Sequence, residues 1–415
     1  MDEPTARYLT SPPGEELLAR VAALSGDAAA RVLALRRKQH DLAPEIAAAA
    51  VAVSEARRRA ARRFPDADRL FFTPDALAQA TSPTLAAYHA RVLAPYGDVA
   101  DLCCGVGVDA IALAEAGAKV TALDIDPARL AFAEANARAR GVAGRIRFLC
   151  ADATTFDPGG VRAAFLDPAR RTAADGGGGR RVSRHGEQYA PPLSFASEFA
   201  GRVEALGVKL SPALPDEILL SPGGSVRFLS EARECKEAFV LCRRGAPSSP
   251  AGPSADVAAL LLPEEVVLPA TEEPAPVGPV GAYLLDPDPA VLRAGALGSL
   301  CARLGSGARR ISYGDGYLTA DARPPETRAA SVYRVLEALP YRPRVVGEWL
   351  RARGIGRLVV KKRRFPKEPD AVARELKLSG RGDEGTLVLV QESDDSFLAV
   401  LCEPAGLAVA AASPD

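Results

Sequence analysis

Short apolar blocks alternate with longer helix-like segments in the middle of the chain. Five blocks of mostly apolar residues have the length of a buried strand, at 99–104, 119–124, 145–150, 163–167 and 207–211. The segment 127–140 instead spaces its apolar residues as a helix does. Strands that alternate with helices pack as a parallel sheet with helices on its faces, so this region predicts a doubly wound α/β fold.

Two later apolar blocks, 225–230 and 238–244, follow one another without a helical segment between them. Such a pair can close a parallel sheet with an antiparallel strand. The segment from about 244 to 281 is rich in Pro, Ser, Gly and Ala, although it contains two further apolar runs. We therefore expect it to hold the last sheet elements and then a linker.

The regions on either side of this core have different patterns. Residues 1–95 carry helically spaced apolar positions, and the last of these helices ends in arginines at 57–59 and 62–63. Cations are favourable near a helix C-terminus, but the same arginines could form an RNA-facing patch. Residues 276–415 mix predicted helices with predicted strands. The helices are expected at 289–304, 329–339 and 344–353, and the strands at 357–362, 385–391 and 397–401.

The pattern therefore predicts three parts: a helical region at 1–95, an α/β domain at 96–275 and an α+β domain at 276–415. Composition narrows the function only slightly. Lysine plus arginine equals aspartate plus glutamate at 52 each, so net charge does not indicate a nucleic-acid partner. No apolar run has the roughly 18–20 residues that a membrane span needs, and the acidic start is not that of a signal peptide.

The cysteines and histidines argue against two other classes of site. The chain has seven cysteines, none of them in a CxxC pair, so we expect reduced thiols and a cytoplasmic location. Its three histidines are scattered along the sequence, so we do not expect a metal site.

Carboxylates follow four successive predicted strands. Asp101, Asp124, Asp152 and Asp167 stand at these strand ends, and a turn with Gly105 and Gly107 follows the first of them. The carboxyl ends of parallel strands meet at one edge of a doubly wound sheet, where ligands bind. Each carboxylate could instead cap a helix or stabilise a turn.

Residues 99–168 resemble the class I S-adenosylmethionine-dependent methyltransferases, which have a Rossmann-like fold. Those enzymes begin with Asp/Glu-x-Gly-x-Gly-x-Gly, and this chain departs from the motif only at Cys103, which replaces the first glycine. The later strand ends also match, because an acidic residue, an Asp-Ala pair and an Asp-Pro pair follow in order. A dinucleotide-dependent dehydrogenase is disfavoured by Asp167-Pro168 and by the lack of a second nucleotide turn, although Ala110 would be allowed in its glycine fingerprint.

The resemblance implies that S-adenosylmethionine is the cofactor and gives each matching residue a role. Asp101 and the turn formed by Cys103, Gly105 and Gly107 would face its amino-acid part. Asp124 would bind the ribose hydroxyls. Ile125 and Asp126 would border the adenine, and Asp152 with the backbone of Ala153 would bind it.

The segment after the fourth strand is expected to meet the substrate. In related enzymes that methylate exocyclic amines, an Asp-Pro-type motif holds the amine, which implies this role for Asp167 and Pro168. Here Ala169 and Arg170 replace the usual proline and aromatic residue, and an arginine plane can stack on a base or bind phosphate. The glycine run 176–179 predicts either a loop that closes over substrate or a plain surface loop. The substrate-binding candidates in this region are Arg171, Arg180, Arg181, His185 and Tyr189.

A cluster of cations in the C-terminal part, residues 342–364, is called the basic segment below. It contains nine lysines and arginines and a single acidic residue, Glu348, with Tyr341, Trp349 and Phe365 within it or next to it. Such clustering favours a phosphate-binding face over an ordinary solvated surface. The substrate-binding candidates here are Arg353, Lys361, Lys362, Arg363 and Arg364.

The same segment resembles the THUMP-like C-terminal domain of a bacterial family of class I methyltransferases. THUMP domains bind RNA in RNA-modifying enzymes, so the resemblance implies methylation of a base in a structured RNA such as tRNA. Two alternatives stay open: methylation of a small molecule or a protein, and a catalytically silent RNA-binding protein.

Overall fold

The computed structural model describes residues 1–170, 189–219, 224–245, 256–305, 307–311, 316–393 and 396–405. The chain folds into two compact units. The first contains Met1–Val226 and Glu237–Ala255, and the second contains Arg227–Lys236 and Asp256–Asp415. The three-part division at residues 95 and 275 stays a prediction, because a separation into two units does not place those boundaries.

The N-terminal region of the first unit is helical, as its apolar spacing predicts. The helices are α1 (Glu3–Leu9), α2 (Pro12–Ala22), α3 (Ala28–Lys38), α4 (Pro44–Ala60), α5 (Pro74–Gln79) and α6 (Pro83–Leu93). Five begin at a side chain that accepts a backbone N–H of the first turn, from Asp2, Ser11, Asp27, Thr73 and Ser82. Within the arginine run, Arg57 donates to the Leu70 carbonyl and lies 4.5 Å from the Phe71 ring centroid, so it stabilises the loop after α4.

The sheet of the first unit follows these helices. Its strands are β1 (Asp98–Asp101), β2 (Lys119–Asp124), β3 (Ile146–Cys150), β4 (Ala163–Leu166), β7 (Ala205–Leu210) and the Ala238–Arg243 part of β9 (Glu234–Arg243), and the short strands β5 (Ala169–Arg170) and β6 (Tyr189–Ala190) pair separately. Helices α7 (Val108–Glu115), α8 (Pro127–Ala139), α9 (Leu193–Ala200) and α10 (Asp216–Leu219) lie between the strands along the chain.

The strand order of this sheet is β9-β7-β4-β1-β2-β3. All pairs among β7, β4, β1, β2 and β3 are parallel, and β9 pairs antiparallel to β7. The α/β prediction and the predicted antiparallel strand beside the parallel ones are therefore confirmed, but that strand does not end the sheet. The order reverses between β1 and β4, and such a switch point opens a crevice at the carboxyl ends of the strands.

The second unit contains a separate sheet of seven strands in the order β13-β14-β12-β15-β18-β17-β16. These are β12 (Tyr283–Pro287), β13 (Arg309–Arg310), β14 (Leu318–Ala320), β15 (Ala330–Pro340), β16 (Ile355–Lys362), β17 (Asp383–Gln391) and β18 (Phe397–Pro404). An antiparallel pair, β10 (Val257–Leu262) and β11 (Val266–Pro269), precedes them, and β8 (Ser225–Glu231) spans the point where the chain leaves the first unit. The helices are α11 (Pro289–Arg293), α12 (Leu297–Leu304), α13 (Pro343–Ala352) and α14 (Pro369–Glu375).

Helices α13 and α14 pack on the sheet of the second unit. Val346 and Leu350 of α13 join Val372 of α14 and the β17 residues Leu387 and Leu389 in one buried cluster. This arrangement confirms the predicted α+β character of the C-terminal part.

Two details of the predicted elements are wrong. The segment predicted as a helix at 329–339 is the strand β15, which pairs on one side with β12 and on the other with β18. The predicted helix 289–304 is interrupted at Gly295, whose φ is +67°, so it forms α11 and α12. Both differences occur where contacts distant in sequence or a left-handed residue override local helix preference.

No helix within the described ranges is long and apolar enough to cross a membrane.

Candidate active site

The turn after β1 is shaped by two glycines with left-handed backbones. Gly105 has φ +55° and Gly107 has φ +87°. A Cβ atom on Gly107 would lie 3.0 Å from the Ala133 Cβ of α8, whereas one on Gly105 would meet nothing within 4 Å. Gly107 therefore allows α7 and α8 to pack closely, and Gly105 leaves open space beside the turn.

Cys103 departs from the methyltransferase motif without straining the turn. It does not belong to the described residues with positive φ, so its backbone conformation does not require glycine. Burial and the nearby Asp101 carboxylate raise the pKa of its thiol far above the ordinary value. The thiol therefore stays protonated and does not act as a nucleophile at neutral pH.

Asp124 joins the end of β2 to the glycine turn. One carboxylate oxygen accepts the N–H of Gly105 at 2.8 Å, and the other accepts the N–H of Asp126 at 2.9 Å. Each carboxylate oxygen can accept more than one hydrogen bond, so both keep capacity for a ligand hydroxyl. The turn and the second strand end are thus held together as one surface.

Asp126 and Asp152 both have structural hydrogen bonds. Asp126 accepts the N–H groups of Ala128 and Arg129 as the N-cap of α8. Asp152 accepts the backbone N–H and the hydroxyl of Thr154, at 2.8 and 2.7 Å, which lowers its pKa and keeps it a carboxylate. These capping roles exist alongside any contact with a ligand, because each carboxylate has further lone pairs.

Ile125 follows β2 and Ala153 lies shortly after β3, and the two side chains differ in their exposure to solvent. Ile125 is 72 % exposed, the highest value among the large apolar residues of the described part, whereas Ala153 is buried. A large apolar side chain in water at the end of a buried strand is a ready surface for the flat face of an aromatic ring.

Asp101 carries a buried carboxyl group whose two oxygens lack hydrogen-bond partners in the described part of the chain. Only 1 % of the residue is exposed, and neither carboxylate oxygen has a hydrogen bond of ordinary geometry within the described ranges. Burial first, and then the charge of Asp109, raise the pKa of this carboxyl well above its usual range, although the nearby Cys103 N–H acts in the opposite direction. A cationic group would satisfy such a carboxyl, and the amino group of S-adenosylmethionine is one.

Asp167 follows β4, and of the four residues Asp101, Asp124, Asp152 and Asp167 it is the only one that is paired with a cation in the described residues. Lys209 of β7 donates to its Oδ2 at 2.7 Å, and about a third of the Asp167 side chain (32 %) is exposed. Burial raises the pKa of Asp167, and Lys209 opposes that shift. Pro168 is buried and leads directly into β5.

The segment after Asp167 returns to pair with itself. Ala169 and Arg170 of β5 pair antiparallel with Ala190 and Tyr189 of β6. Tyr189 is only 1 % exposed, so its ring supports β6 and is not presented at the surface. The predicted substrate residues Arg171, Arg180, Arg181 and His185 lie outside the described residues.

The sequence prediction missed a chain of buried polar side chains that begins at Lys209. The Lys209 ammonium also donates to the Thr81 hydroxyl at 3.0 Å, and this hydroxyl donates to Asp109 at 2.6 Å. His89 then bonds to Asp109 at 2.8 Å through Nδ1 and to Glu237 at 2.6 Å through Nε2. A lysine inside an otherwise apolar strand was the one sequence signal that could have indicated it.

His89 is fully buried in this chain. Its ring stacks on Phe239, with centroids 5.0 Å apart, and lies 4.8 Å from the Phe165 ring centroid. Burial alone would lower the pKa of His89, but Glu237 and Asp109 outweigh it and raise that pKa to about 9. Both ring nitrogens therefore carry hydrogens at neutral pH and donate to the two carboxylates.

The basic segment is less free of acidic partners than its sequence suggests. Lys361 and Arg363 both donate to Asp286 of β12, at 3.1 and 2.6 Å, and Lys362 pairs with Glu368 at 2.9 Å. Arg353 pairs with Glu337. Glu348 is the single acidic residue within the segment, but these carboxylate partners come from other parts of the second unit.

Three exposed arginines of the basic segment have neither an ion pair nor a side-chain hydrogen bond within the described ranges, whereas the exposed Arg351 donates to the Leu376 carbonyl. They are Arg342, which precedes α13, Arg357 on the edge strand β16, and Arg364, which follows β16. Of these, only Arg364 was singled out from the sequence. Exposed unpaired guanidinium groups are suited to phosphate binding.

Comparison with known proteins agrees with this geometry. Residues 99–166 match the Methyltransferase domain family, and residues 330–404 match the THUMP domain-like family. Proteins from two Mycobacterium tuberculosis strains, each named an uncharacterized S-adenosylmethionine-dependent methyltransferase, are 31 % identical over 336 residues. These matches cover 78 % of this chain and 87 % of each relative.

A solved structure shares the fold across nearly the whole chain. It is the crystal structure of a "putative methyltransferase" from Porphyromonas gingivalis, with a TM-score of 0.71 and 20 % identity, covering 98 % of this chain and 99 % of that one. The order of the strands, the carboxylates at their ends and these matches lead to one conclusion: the chain belongs to the class I S-adenosylmethionine-dependent methyltransferases and carries a C-terminal THUMP-like domain.

Proposed function

We propose that this protein transfers the methyl group of S-adenosylmethionine to a base in a structured RNA, with tRNA as the first candidate. One observation carries the proposal: a methyltransferase domain at 99–166 and a THUMP-like domain at 330–404 occur on the same chain. The unpaired arginines of the basic segment support it, because RNA affinity depends on phosphate contacts. The proposal includes a cytoplasmic location, as expected for an enzyme that acts on tRNA.

In this proposal the first unit holds the cofactor at the carboxyl ends of its strands. Asp101 and the turn with Cys103, Gly105 and Gly107 receive the amino-acid part. Asp124 accepts the ribose hydroxyls, while Ile125, Asp126, Asp152 and Ala153 surround the adenine. When bound, S-adenosylmethionine supplies an electrophilic methyl group on a sulfonium.

Asp167 and Pro168 then position the nucleophile. The Pro168 carbonyl and an Asp167 oxygen accept hydrogens of a substrate amine and aim its lone pair at the methyl group. As the nitrogen–carbon bond formed, the bond between the methyl group and sulfur would break and leave a neutral thioether, and Asp167 would accept the proton that the nitrogen loses. The proposed substrate contacts on the first unit are Arg170, Arg171, Arg180, Arg181 and His185, whereas the buried Tyr189 is not one of them. Those on the second unit are Arg353, Lys361, Lys362, Arg363 and Arg364.

The paired state of the basic segment favours a second candidate. Lys361, Lys362 and Arg363 already have carboxylate partners, so they could serve the stability of the second unit instead of binding RNA. The substrate would then be a small molecule or a protein. A silent RNA-binding protein is the third possibility, and it would bind RNA without methyl transfer.

Transfer of labelled methyl groups separates these candidates. The purified protein is incubated with labelled S-adenosylmethionine and with total RNA, protein or small-metabolite fractions from cells that lack the gene. We expect label in RNA, and mass spectrometry of nucleosides should find one modification that is missing without the gene. Label only in another fraction would support the second candidate.

A matched pair of variants tests the role of Asp167. Asp167→Asn should reduce methyl transfer by roughly 10²–10⁴-fold, the range for loss of a general base, while calorimetric affinity for S-adenosylmethionine stays unchanged. Asp157→Asn, whose side chain is 87 % exposed, is the control and should retain activity. Equal activity of both variants would remove Asp167 from the reaction.

A further inference from the structure

The buried polar chain in the first unit ends at Asp167, yet cofactor binding and methyl transfer as described above do not use its other members. It runs in the order Asp167, Lys209, Thr81, Asp109, His89 and Glu237. These residues come from β7, β9, α6, α7 and the segments after α5 and β4. Thr81, Asp109, His89 and Glu237 are each at most 8 % exposed.

The charges along this chain alternate in sign. Glu237, Asp109 and Asp167 are acidic, and the cationic His89 and Lys209 lie between them. Because removing charge from water is costly, a buried ion is tolerated only when partners satisfy it closely. Because the charges alternate, each buried ion is held in place by the oppositely charged groups beside it in the chain.

The hydrogen-bond directions fix the ammonium of Lys209. The Thr81 hydroxyl has one hydrogen, which it donates to Asp109, so it can only accept from Lys209. The ammonium is thus held between Thr81 and Asp167. It bonds to Oδ2 of Asp167, and no hydrogen bond to Oδ1 occurs among the residues that the structure describes.

The chain also connects Asp167 to the turn at residues 103–107, called the cofactor turn because it is proposed to receive the amino-acid part of S-adenosylmethionine. Asp109 lies in the first turn of α7, two residues after Gly107, and it accepts from both Thr81 and His89. The orientation of Asp167 is therefore coupled to the helix that begins at the cofactor turn.

We infer that Lys209 is a positioning residue for methyl transfer: it fixes Oδ2 of Asp167 so that Oδ1 faces the substrate, and Thr81, Asp109, His89 and Glu237 hold its ammonium in place. The inference rests on the proposed role of Asp167. It does not depend on which amine-bearing substrate Asp167 receives.

Lys209 is also the one cation that pairs directly with Asp167 among the residues that the structure describes. The second cation of the chain, His89, bonds to Asp109 and Glu237 instead. Other titratable groups that act on or with Asp167 are Asp109 of α7, Glu237 of β9, and Asp101 and Cys103 at the end of β1. An opposite charge at this distance lowers a carboxyl pKa by about 1–3 units. Without Lys209, burial and the neighbouring carboxylates would act unopposed, and Asp167 would take up a proton at higher pH.

The test measures the protonation of Asp167 directly. The protein is labelled with ¹³C at the aspartate carboxyl carbons, and Asp167→Asn identifies the resonance that is lost. In Lys209→Met the titration midpoint of Asp167 should rise by about 1–3 pH units. Lys209→Arg should keep it near the wild-type value, and Lys119→Met, an exposed lysine at the start of β2, is the matched control.

Two outcomes would overturn the inference: an unchanged midpoint in Lys209→Met, or an equal rise in Lys119→Met. If Lys209→Met does not fold, Lys209→Gln, which keeps a donor but loses the charge, decides by the same measure. Thr81→Val tests the next link, since Lys209 then loses a partner and a smaller rise is expected. An unchanged titration midpoint of Asp167 in Thr81→Val would show that Thr81 does not help to hold the Lys209 ammonium in place.

Methyl transfer is measured in parallel across pH with total RNA as substrate. In Lys209→Met the acid limb of the pH–rate profile should shift to higher pH by the same amount as the titration midpoint of Asp167. The calorimetric affinity for S-adenosylmethionine should stay the same. Failure of the wild-type protein to methylate RNA would overturn the proposed substrate. The carboxyl titration would still decide whether Lys209 controls Asp167, so the two failures are distinguishable.

Discussion

The buried polar chain that ends at Asp167 and the basic segment at 342–364 both contain paired charges, but the first lies in the protein interior and the second lies near the surface. In the first unit a few charges, distant in sequence, meet in the interior, and His89 and Glu237 are at most 1 % exposed. In the second unit many cations are close in sequence but lie near the surface, where several are neutralised by carboxylates such as Asp286. Local charge density in a sequence therefore does not show where charge matters most. Burial and pairing decide that, because exposed pairs contribute little and broken buried pairs cost much.

The largest expected effect is loss of the central cation of the buried chain. His89→Leu leaves Asp109 and Glu237 without their partner, and the free energy of unfolding should fall by about 3–5 kcal/mol. Urea unfolding followed by circular dichroism at pH 7 measures it. His40→Leu, at an exposed histidine, should change stability by less than about 0.5 kcal/mol. Similar losses in both variants would contradict the contrast between buried and exposed charge.

The pH dependence of stability should show the same cation. The pKa of His89 is raised from 6.5 to about 9, so its stabilisation is complete below pH 6.5 and is lost as pH rises through about 9. At about 1.4 kcal/mol per unit, the loss is about 3 kcal/mol. The difference in unfolding free energy between wild type and His89→Leu should shrink over this window. A constant difference would mean that His89 is neutral when folded.

A smaller effect is expected at the cofactor turn. Gly141→Ala, just after α8, and Gly107→Ala both place alanine at a left-handed φ, +74° and +87°, which costs about 1–2 kcal/mol. Only the second adds a Cβ close to Ala133, so its loss in stability should exceed that of the first by about 1–3 kcal/mol. Calorimetry should also show weaker S-adenosylmethionine binding for Gly107→Ala alone. Equal losses would mean that close packing of α7 and α8 is not important.

The smallest effect concerns the surface of the second unit. A plot of log affinity for total tRNA against log salt concentration has a negative slope, to which each phosphate contact contributes about 0.7–0.9. Replacing Arg342, Arg357 and Arg364 by alanine should therefore make this slope shallower by roughly 2–3. The matched triple variant replaces Arg328, Arg334 and Arg344, which are exposed but paired with glutamates. It should change the salt dependence less. The same reduction in both would show that pairing does not select the RNA-binding residues.

The sequence predicted the strand ends well because their signals are local. Asp101, Asp124, Asp152 and Asp167 each follow an apolar block directly, and β1, β2, β3 and β4 are adjacent in the sheet as the parallel arrangement requires. The strand β15 was not predicted, because Leu336, Glu337, Ala338 and Leu339 have helical preference. Its pairing with β12 and β18 is formed by residues about 43 to 71 positions away, and local propensity does not report such contacts.

By itself the sequence determined the class of fold, the order of the carboxylates and the glycine turn, since apolar periodicity and left-handed backbone positions depend on neighbouring residues. Only the tertiary structure decided which charges are paired. It joined His89, Asp109 and Glu237 across 148 residues of chain and gave Lys361 and Arg363 a partner in Asp286. The physical reason is that a hydrogen bond or ion pair depends on distances of about 3 Å in space, which separation along the chain does not specify.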